Sequence, residues 1–340
     1  MSEPSLPRRR FLAAALGGLA LGRPGRSAHG AANPRKYRYI DIHTHVGRYY
    51  WGKDLTLAGL LKLMDRHGIE RACVLPLVSP EATVYPQTSD DALAAFRAHP
   101  DRIIPFCCVD PRTNSGNPNR AGRLDLRSMI EVLTRFRDLG AKGFGEHQVG
   151  LPFDHPLMMT VYEACARVGL PILFHLDDIR GIDTPGLPRL EHALKSFPEL
   201  PMIGHAAGFW ASISGDARPE DFRRYLSAPR RVTPGGALER LMDAYPNLYG
   251  DLSEPGGYWA IHRDETFGRA FLIRRADRLL FGTDFLMADQ EIPQFELLDS
   301  LNLPNEVQAK IYRGNALRLL KLDGDRGTGP TGPHPPSPSR

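Results

Sequence analysis

Five short apolar runs in this 340-residue chain end in histidine or carboxylate side chains. The first ends in Asp41-Ile-His43-Thr-His45, whose two histidines, two positions apart, project to one face of an extended chain. Four more end in Lys142-Gly-Phe-Gly-Glu146, Ile172-Leu-Phe-His175, Met202-Ile-Gly-His205 and Leu280-Phe-Gly-Thr-Asp284. Imidazole nitrogens joined by one or two carboxylates are the donor set favoured by a borderline divalent ion such as Zn²⁺. His43, His45, Glu146, His175 and Asp284 are therefore the expected ligands of one or two ions, with Zn²⁺ ahead of Mn²⁺ or Fe²⁺. A His-x-His pair or a lone histidine at a strand end is weak evidence alone, so the inference rests on their joint recurrence.

A bound divalent ion lowers the pKa of its water toward ~7, which makes a nucleophile at neutral pH. Hydrolysis of an amide, ester or lactone follows, with Asp284 and His205 as the expected catalytic residues. Asp284 accepts the proton and passes it to the leaving group, while His205 helps to stabilise the oxyanion. His205 alternatively binds a second ion, or stays neutral as a proton shuttle. The second reading is decarboxylation of a small carboxylated substrate, for which Arg48 and Arg180 are candidate carboxylate grips. A third is a metal-binding periplasmic protein without turnover, against which the joint presence of His205 and Asp284 counts.

Other polar residues carry less. His147, Asp177 and Asp178 directly follow expected ligands and are candidates to line the pocket. Asp251, Ser253 and His262 follow the seventh run, where turn chemistry is the plainer account. Lys142 shares the parity of Glu146 but lies about 13 Å below it at ~3.3 Å per residue, too far to reach an ion.

The elements that must position these groups alternate. Apolar runs at 39–42, 72–77, 103–109, 141–145, 172–174, 202–204, 248–251 and 279–282 read as strands. Amphipathic stretches at 57–67, 89–99, 126–139, 156–168, 187–197 and 238–245 read as the helices between them. Eight such units in 34–322 match a closed (β/α)₈ TIM barrel, in which active sites collect at the C-terminal strand ends. A doubly wound open sheet is the runner-up, but no Gly-x-Gly-x-x-Gly turn supports it. Residues 208–235 read as an insertion over the barrel mouth.

The composition, 42% hydrophobic and 24% charged, is that of an ordinary globular chain. Its formal charge of +4 sits partly in the first ten residues, so the barrel offers no basic footprint for nucleic acid, and a phosphoesterase or nuclease rates low. The four cysteines lie in apolar runs without ligand spacing and read as core residues. Arg8-Arg9-Arg10-Phe11-Leu12 precedes a short apolar run, so 1–32 reads as a twin-arginine-type signal peptide and the mature chain as periplasmic. That run falls short of the ~20 residues of a spanning helix, so no stable membrane span is expected in the mature chain. Residues 323–340, rich in Gly, Pro and Ser, read as a disordered tail. The expected partners are a small-molecule substrate and the twin-arginine export machinery; a homo-oligomer is left open.

With these residues assembled, 38–322 resembles the amidohydrolase superfamily, and within it the amidohydrolase-related branch that includes aminocarboxymuconate semialdehyde decarboxylase-like enzymes. Tyr249-Gly-Asp-Leu-Ser253 looks like that branch's seventh strand, and Gly314-Asn-Ala-Leu-Arg-Leu-Leu320 like its final helix. The resemblance implies that His43, His45, His175 and Asp284 hold a catalytic ion with His205 assisting. In some relatives a carboxylate or a modified lysine after the fourth strand, where Glu146 stands, bridges two ions, and single-ion members do without it.

Overall fold

The computed structural model describes residues 39–50, 52–82, 85–113, 125–223 and 230–322. Eight strands follow one another: β1 (Tyr39–Thr44), β2 (Ile69–Val74), β3 (Ile103–Cys107), β4 (Gly143–His147), β5 (Ile172–His175), β6 (Met202–His205), β7 (Leu248–Asp251) and β8 (Leu279–Leu280). Each pairs in parallel with the next. The residues leaving β8 close the ring on β1, with Ile42 N donating to Phe281 O at 3.0 Å and Asp284 N to His43 O at 2.8 Å. This is the (β/α)₈ barrel that the alternating pattern predicts.

The intervening helices are α1 (Leu57–His67), α2 (Ser89–Ala98), α3 (Leu126–Asp138), α4 (Pro156–Val168), α5 (Pro188–Ser196), α6 (Ala207–Ala211) and α7 (Ala237–Ala244). After β7 come α8 (Glu254–His262) and α9 (Glu265–Arg274), and after β8 come α10 (Gln294–Ser300), α11 (Asn305–Ala309) and α12 (Asn315–Leu319). Local chemistry sets their ends. In α1, Thr56 accepts from Gly59 N at the start, and Gly68 stops the helix in the left-handed region at φ 70°.

Alternation along the strands sorts apolar side chains into two cores. Phe174 and Met202 pack outward among the helices, whereas Ile42, Leu75, Phe106, Leu173 and Ile203 fill the barrel interior. Ala316, Leu320 and Leu322, in and just after α12, join that inner core. Arg313 pairs with Glu70 at the start of β2, which places α12 at the N-terminal end of the strands. Two residues beyond Leu173 and Ile203, the same period turns His175 and His205 inward above the aliphatic layer.

Most strand boundaries differ from the sequence reading by one to three residues. β2 begins at Ile69, because Ile69 and the half-buried Arg71 pair with Tyr39 and Ile40 of β1 although Glu70 and Arg71 break the apolar run. β4 runs from Gly143 to His147, with a register irregularity between Phe144 and His147. Lys142 therefore precedes β4 at the end opposite Glu146, and simple parity does not link the two. Of the expected insertion, the described residues 208–223 hold most of α6, a 3₁₀ turn at Pro219–Phe222, and bonds from Gly208 N and Phe209 N to Leu176 O. The expected signal peptide at 1–32 and tail at 323–340 lie outside the described residues. All four cysteines are buried and free. No described helix is long and apolar enough to cross a membrane.

Candidate metal centre

His43 and His45 meet at the C-terminal mouth with their Nε2 atoms 3.0 Å apart. Each ring is fixed from behind. His45 Nδ1 lies 2.8 Å from the Leu75 carbonyl, which can only accept, so Nδ1 carries the proton and Nε2 a lone pair. His43 Nδ1 lies 2.7 Å from Asp251 Oδ2, which imposes the same tautomer on the neutral ring. Glu146 Oε2 stands 3.2 Å from His43 Nε2 and 3.3 Å from His45 Nε2. Asp284 Oδ1 stands 3.5 and 3.2 Å from the same two atoms and makes no hydrogen bond. With both rings neutral, four acceptor atoms thus converge on one nearly buried point. The two imidazoles and two carboxylates of this cluster are a donor set suited to a divalent ion.

The two carboxylates favour positive charge at this point. Burial alone would lower the His43 pKa, yet the charges of Asp284 and Glu146 hold it well above the usual histidine range. Burial would likewise raise Glu146, but His43 and hydrogen bonds from His175, His43 and His45 hold it well below the carboxylate range. Asp41, expected only as the opening of the motif, accepts from the backbone N–H of His43 and Thr283 and from the Thr283 hydroxyl at 2.6 Å. It ties β1 to the loop carrying Asp284, and burial raises its pKa to about 7.

His175 and His205 complete the inward ring. His175 Nδ1 is 2.8 Å from Glu146 Oε1, the oxygen turned away from His43, and its Nε2 is 3.0 Å from Asp177 Oδ2. His205 Nδ1 is 3.0 Å from Ser253 Oγ, whose hydroxyl donates to Asp251 Oδ2 at 2.7 Å. The hydroxyl therefore accepts from His205 Nδ1–H, which leaves a lone pair on His205 Nε2, a buried atom without a hydrogen-bond partner.

The structure separates the weaker candidates. Asp251 and Ser253 stand behind His43 and His205, and Asp177 behind His175. His147 turns outward, its Nε2 against Met158 Sδ in α4, and burial lowers its pKa to about 4. Asp178 pairs with Arg223, and His262 pairs with Glu265 at the far end of α8. Arg180 is bound to Asp177 at 2.8 Å, whereas Arg48 is exposed, above the Tyr85 ring.

One residue that the sequence reading passed over belongs to the centre. Glu254 opens α8 with Oε2 3.4 Å from His205 Nε2 and no hydrogen bond to that oxygen. Burial, then the charges of Asp284 and Glu146, push its pKa well up. Ser-Glu-Pro at 253–255 reads as an ordinary helix start, which hides it. Ala206, Glu254 and Asp284 all have left-handed φ, at 82°, 64° and 53°. For residues with a side chain this costs on the order of 1–3 kcal/mol each, and such strain gathers at functional sites.

A family model described as Amidohydrolase matches residues 40–322. No curated protein matches the chain. Among solved structures it is similar to a TIM-barrel protein from Bordetella bronchiseptica at 18% identity, covering 85% of this chain and 100% of that one with a TM-score of 0.58. It is similar to an amidohydrolase from Burkholderia multivorans with bound zinc at 15% identity, over 84% and 99% of the two chains, with a TM-score of 0.56. It is also similar to 2,6-dihydroxybenzoate decarboxylase from Rhizobium at 19% identity, over 84% and 99%, with a TM-score of 0.50. At these identities the likeness is one of fold.

Proposed function

Because the chain belongs to the amidohydrolase family, we propose that it is a metal-dependent hydrolase that adds water across an amide, ester or lactone carbonyl. The observation that carries this reading is the pair of facing Nε2 lone pairs of His43 and His45, set against Glu146 Oε2 and the unbonded Asp284 Oδ1. These four residues would hold the ion, with His175 reaching it through Glu146. The mixed imidazole and carboxylate donor set suits Zn²⁺, which the Burkholderia multivorans relative carries. When bound, such an ion supplies Lewis acidity toward a carbonyl and its attacking water.

The protein's own groups supply the rest. Asp251 and the Leu75 carbonyl fix the two imidazole rings, so their Nε2 atoms need no reorganisation. Asp284 takes a proton from the attacking water as the C–O bond forms, and returns it to the departing nitrogen or oxygen as the old bond breaks. His205 offers a lone pair, so it serves as an acceptor or ligand in its neutral form rather than as an oxyanion donor. Elemental analysis of the purified protein, run beside ester, lactone and amide assays, tests the reading. We expect near-stoichiometric metal and turnover, with both lost in His43→Ala. A native protein that binds no divalent metal after reconstitution would refute it.

A second reading, loss of CO₂ from a carboxylated substrate, draws on Arg180, held by Asp177 next to His175. Its signature is CO₂ release from a hydroxybenzoate with no activity on esters or lactones. For location, Arg8-Arg9-Arg10-Phe11-Leu12 supports twin-arginine export to the periplasm. Changing Arg8 and Arg9 to Lys should leave the precursor in the cytoplasmic fraction.

A further inference from the structure

His45 and Asp284 stand where loops rise from the barrel, at the exits of β1 and β8. With the loop after β2, these loops are laced into one wall. His45 N donates to Phe285 O at 2.8 Å. Isolated bridges from Gly47 to Leu55 and from Leu77 to Gln87 fold the first two loops back, and one from Asp54 to Met287 ties the first to the third. The first two are in direct contact, since a Cβ on Gly47 would lie 2.8 Å from the Gln87 side chain.

The side chains of this wall are largely apolar. Leu77 and Ala82 are buried and pack with Tyr49 and Leu286 in a cluster separate from both cores of the barrel. Within the first two loops the Tyr50 and Tyr85 rings meet with centroids 4.4 Å apart, yet remain 49% and 41% exposed. Arg48 stacks on Tyr85 at 4.3 Å and helps to hold that ring. Adjacent rings left in water forgo their burial, and such patches mark binding surfaces. Burial, then the charge of Asp284, raises the Tyr49 pKa, and Arg180 opposes them, so the wall borders the same space as the centre. Charged groups stand elsewhere around that space: Arg180, bound to Asp177, and Glu254 beside His205.

We propose that this wall, with Tyr50 and Tyr85 at its rim, binds the leaving group of the substrate, and that this group is an apolar ring departing as a benzyl-type alcohol or amine. This rests on the hydrolase reading above and names the half of the substrate that faces β1, β2 and β8. Asp284 fixes the direction. It returns its proton to the departing oxygen or nitrogen, so that atom lies beside the wall to which the Asp284 loop belongs. The acyl half then lies toward Arg180 and Glu254, where an apolar group would desolvate charges without pairing them. One water is consumed: the acyl C–O or C–N bond breaks, the acyl carbon keeps the water oxygen as a carboxylic acid, and the ring leaves as its alcohol or amine.

The test compares kcat/KM on the benzyl and methyl half-esters of succinic acid, which share an acyl part and differ in the leaving group alone. Comparing the benzyl-to-methyl ratio between proteins cancels the intrinsic reactivity of the two esters. We expect the native protein to favour the benzyl ester, and Tyr85→Ser to lower the ratio about tenfold. Tyr50→Ser should act alike and serves if Tyr85→Ser fails to fold. Leu139→Ser, exposed where α3 ends ahead of β4 at the opposite end of the barrel, should leave the ratio as it is. An unchanged ratio in both tyrosine variants overturns the proposal and leaves the hydrolase reading standing. An equal fall on methyl phenylacetate, whose ring lies on the acyl side, overturns the assigned direction. No turnover of any ester, lactone or amide by metal-loaded protein overturns the hydrolase reading instead. Isothermal titration with benzyl alcohol then reads the wall alone, and equal affinity in native and Tyr85→Ser protein overturns it. A native dimer that Tyr85→Ser dissociates in analytical ultracentrifugation also overturns it, because a second copy then covers the wall.

Discussion

Asp251 stands behind the two rings, bonding His43 at 2.7 Å and lying 3.3 Å from His205. Burial would raise its pKa, but hydrogen bonds from His205 and His43 keep it ionised far below the carboxylate range. Asp251→Asn keeps the shape and removes the charge that fixes both rings. We expect metal affinity to fall about 10–100-fold while the fold survives, as seen by chelator competition. Gly282 makes the same point through space. A Cβ there would sit 2.3 Å from Asp251 Oδ1, so Gly282→Ala must displace the carboxylate. It should weaken metal binding in the same direction and cost ~1–3 kcal/mol of stability in denaturant titrations. Native affinity in both variants would show that Asp251 is dispensable.

Elements carry these residues to the mouth, and their stability is separable from the chemistry. The start of α2 is a reciprocal cap: Thr88 Oγ1 accepts from Asp91 N at 3.2 Å, and the Asp91 carboxylate accepts from Thr88 N at 2.7 Å. Thr88→Ala should cost about 1 kcal/mol and lower Tm by a few degrees without changing metal content. A loss of metal in that variant would mean that α2 is coupled to the centre. The strands were legible because β/α alternation is a local period, and so were the polar residues at their ends. His147 was not, since the irregular register of β4 turns it toward Met158 beside Glu146. Glu254 was hidden by the helix-start pattern around it.

At the scale of the whole molecule, loops from different strands are joined by charge. Arg112, beyond β3, bonds Asp110 at 2.6 Å and Glu81, in the turn after β2, at 2.7 Å. Arg112 lowers Glu81, and it lowers Asp110 against the opposing effect of burial. Both folded-state pKa values lie below their unfolded ones, so the folded chain binds fewer protons in acid. Their stabilisation is present above the ordinary carboxylate range near ~4 and is lost as pH falls through the folded values. The Tm gap between native protein and Arg112→Met should therefore be largest near neutrality and close toward pH 3; a constant gap would assign the effect to packing. Metal removal acts on the same scale. Because the unfolded chain lacks the assembled site, a free ion at ~100 times its Kd stabilises by about 2.7 kcal/mol, and chelation should lower Tm accordingly.

Sequence alone determined the barrel, the inward histidines and the acidic partners, because strand period and strand-end placement are written locally in residue type and spacing. Tertiary structure decided how those groups act together. His43 and Asp251 are 208 positions apart, and Asp41 reaches Thr283 across 242. No local pattern encodes which lone pair faces which carboxylate, since that depends on ring closure bringing β1, β7 and the β8 exit to one point. Glu254 belongs to the centre for the same reason: its role is set by what lies across the barrel mouth from it.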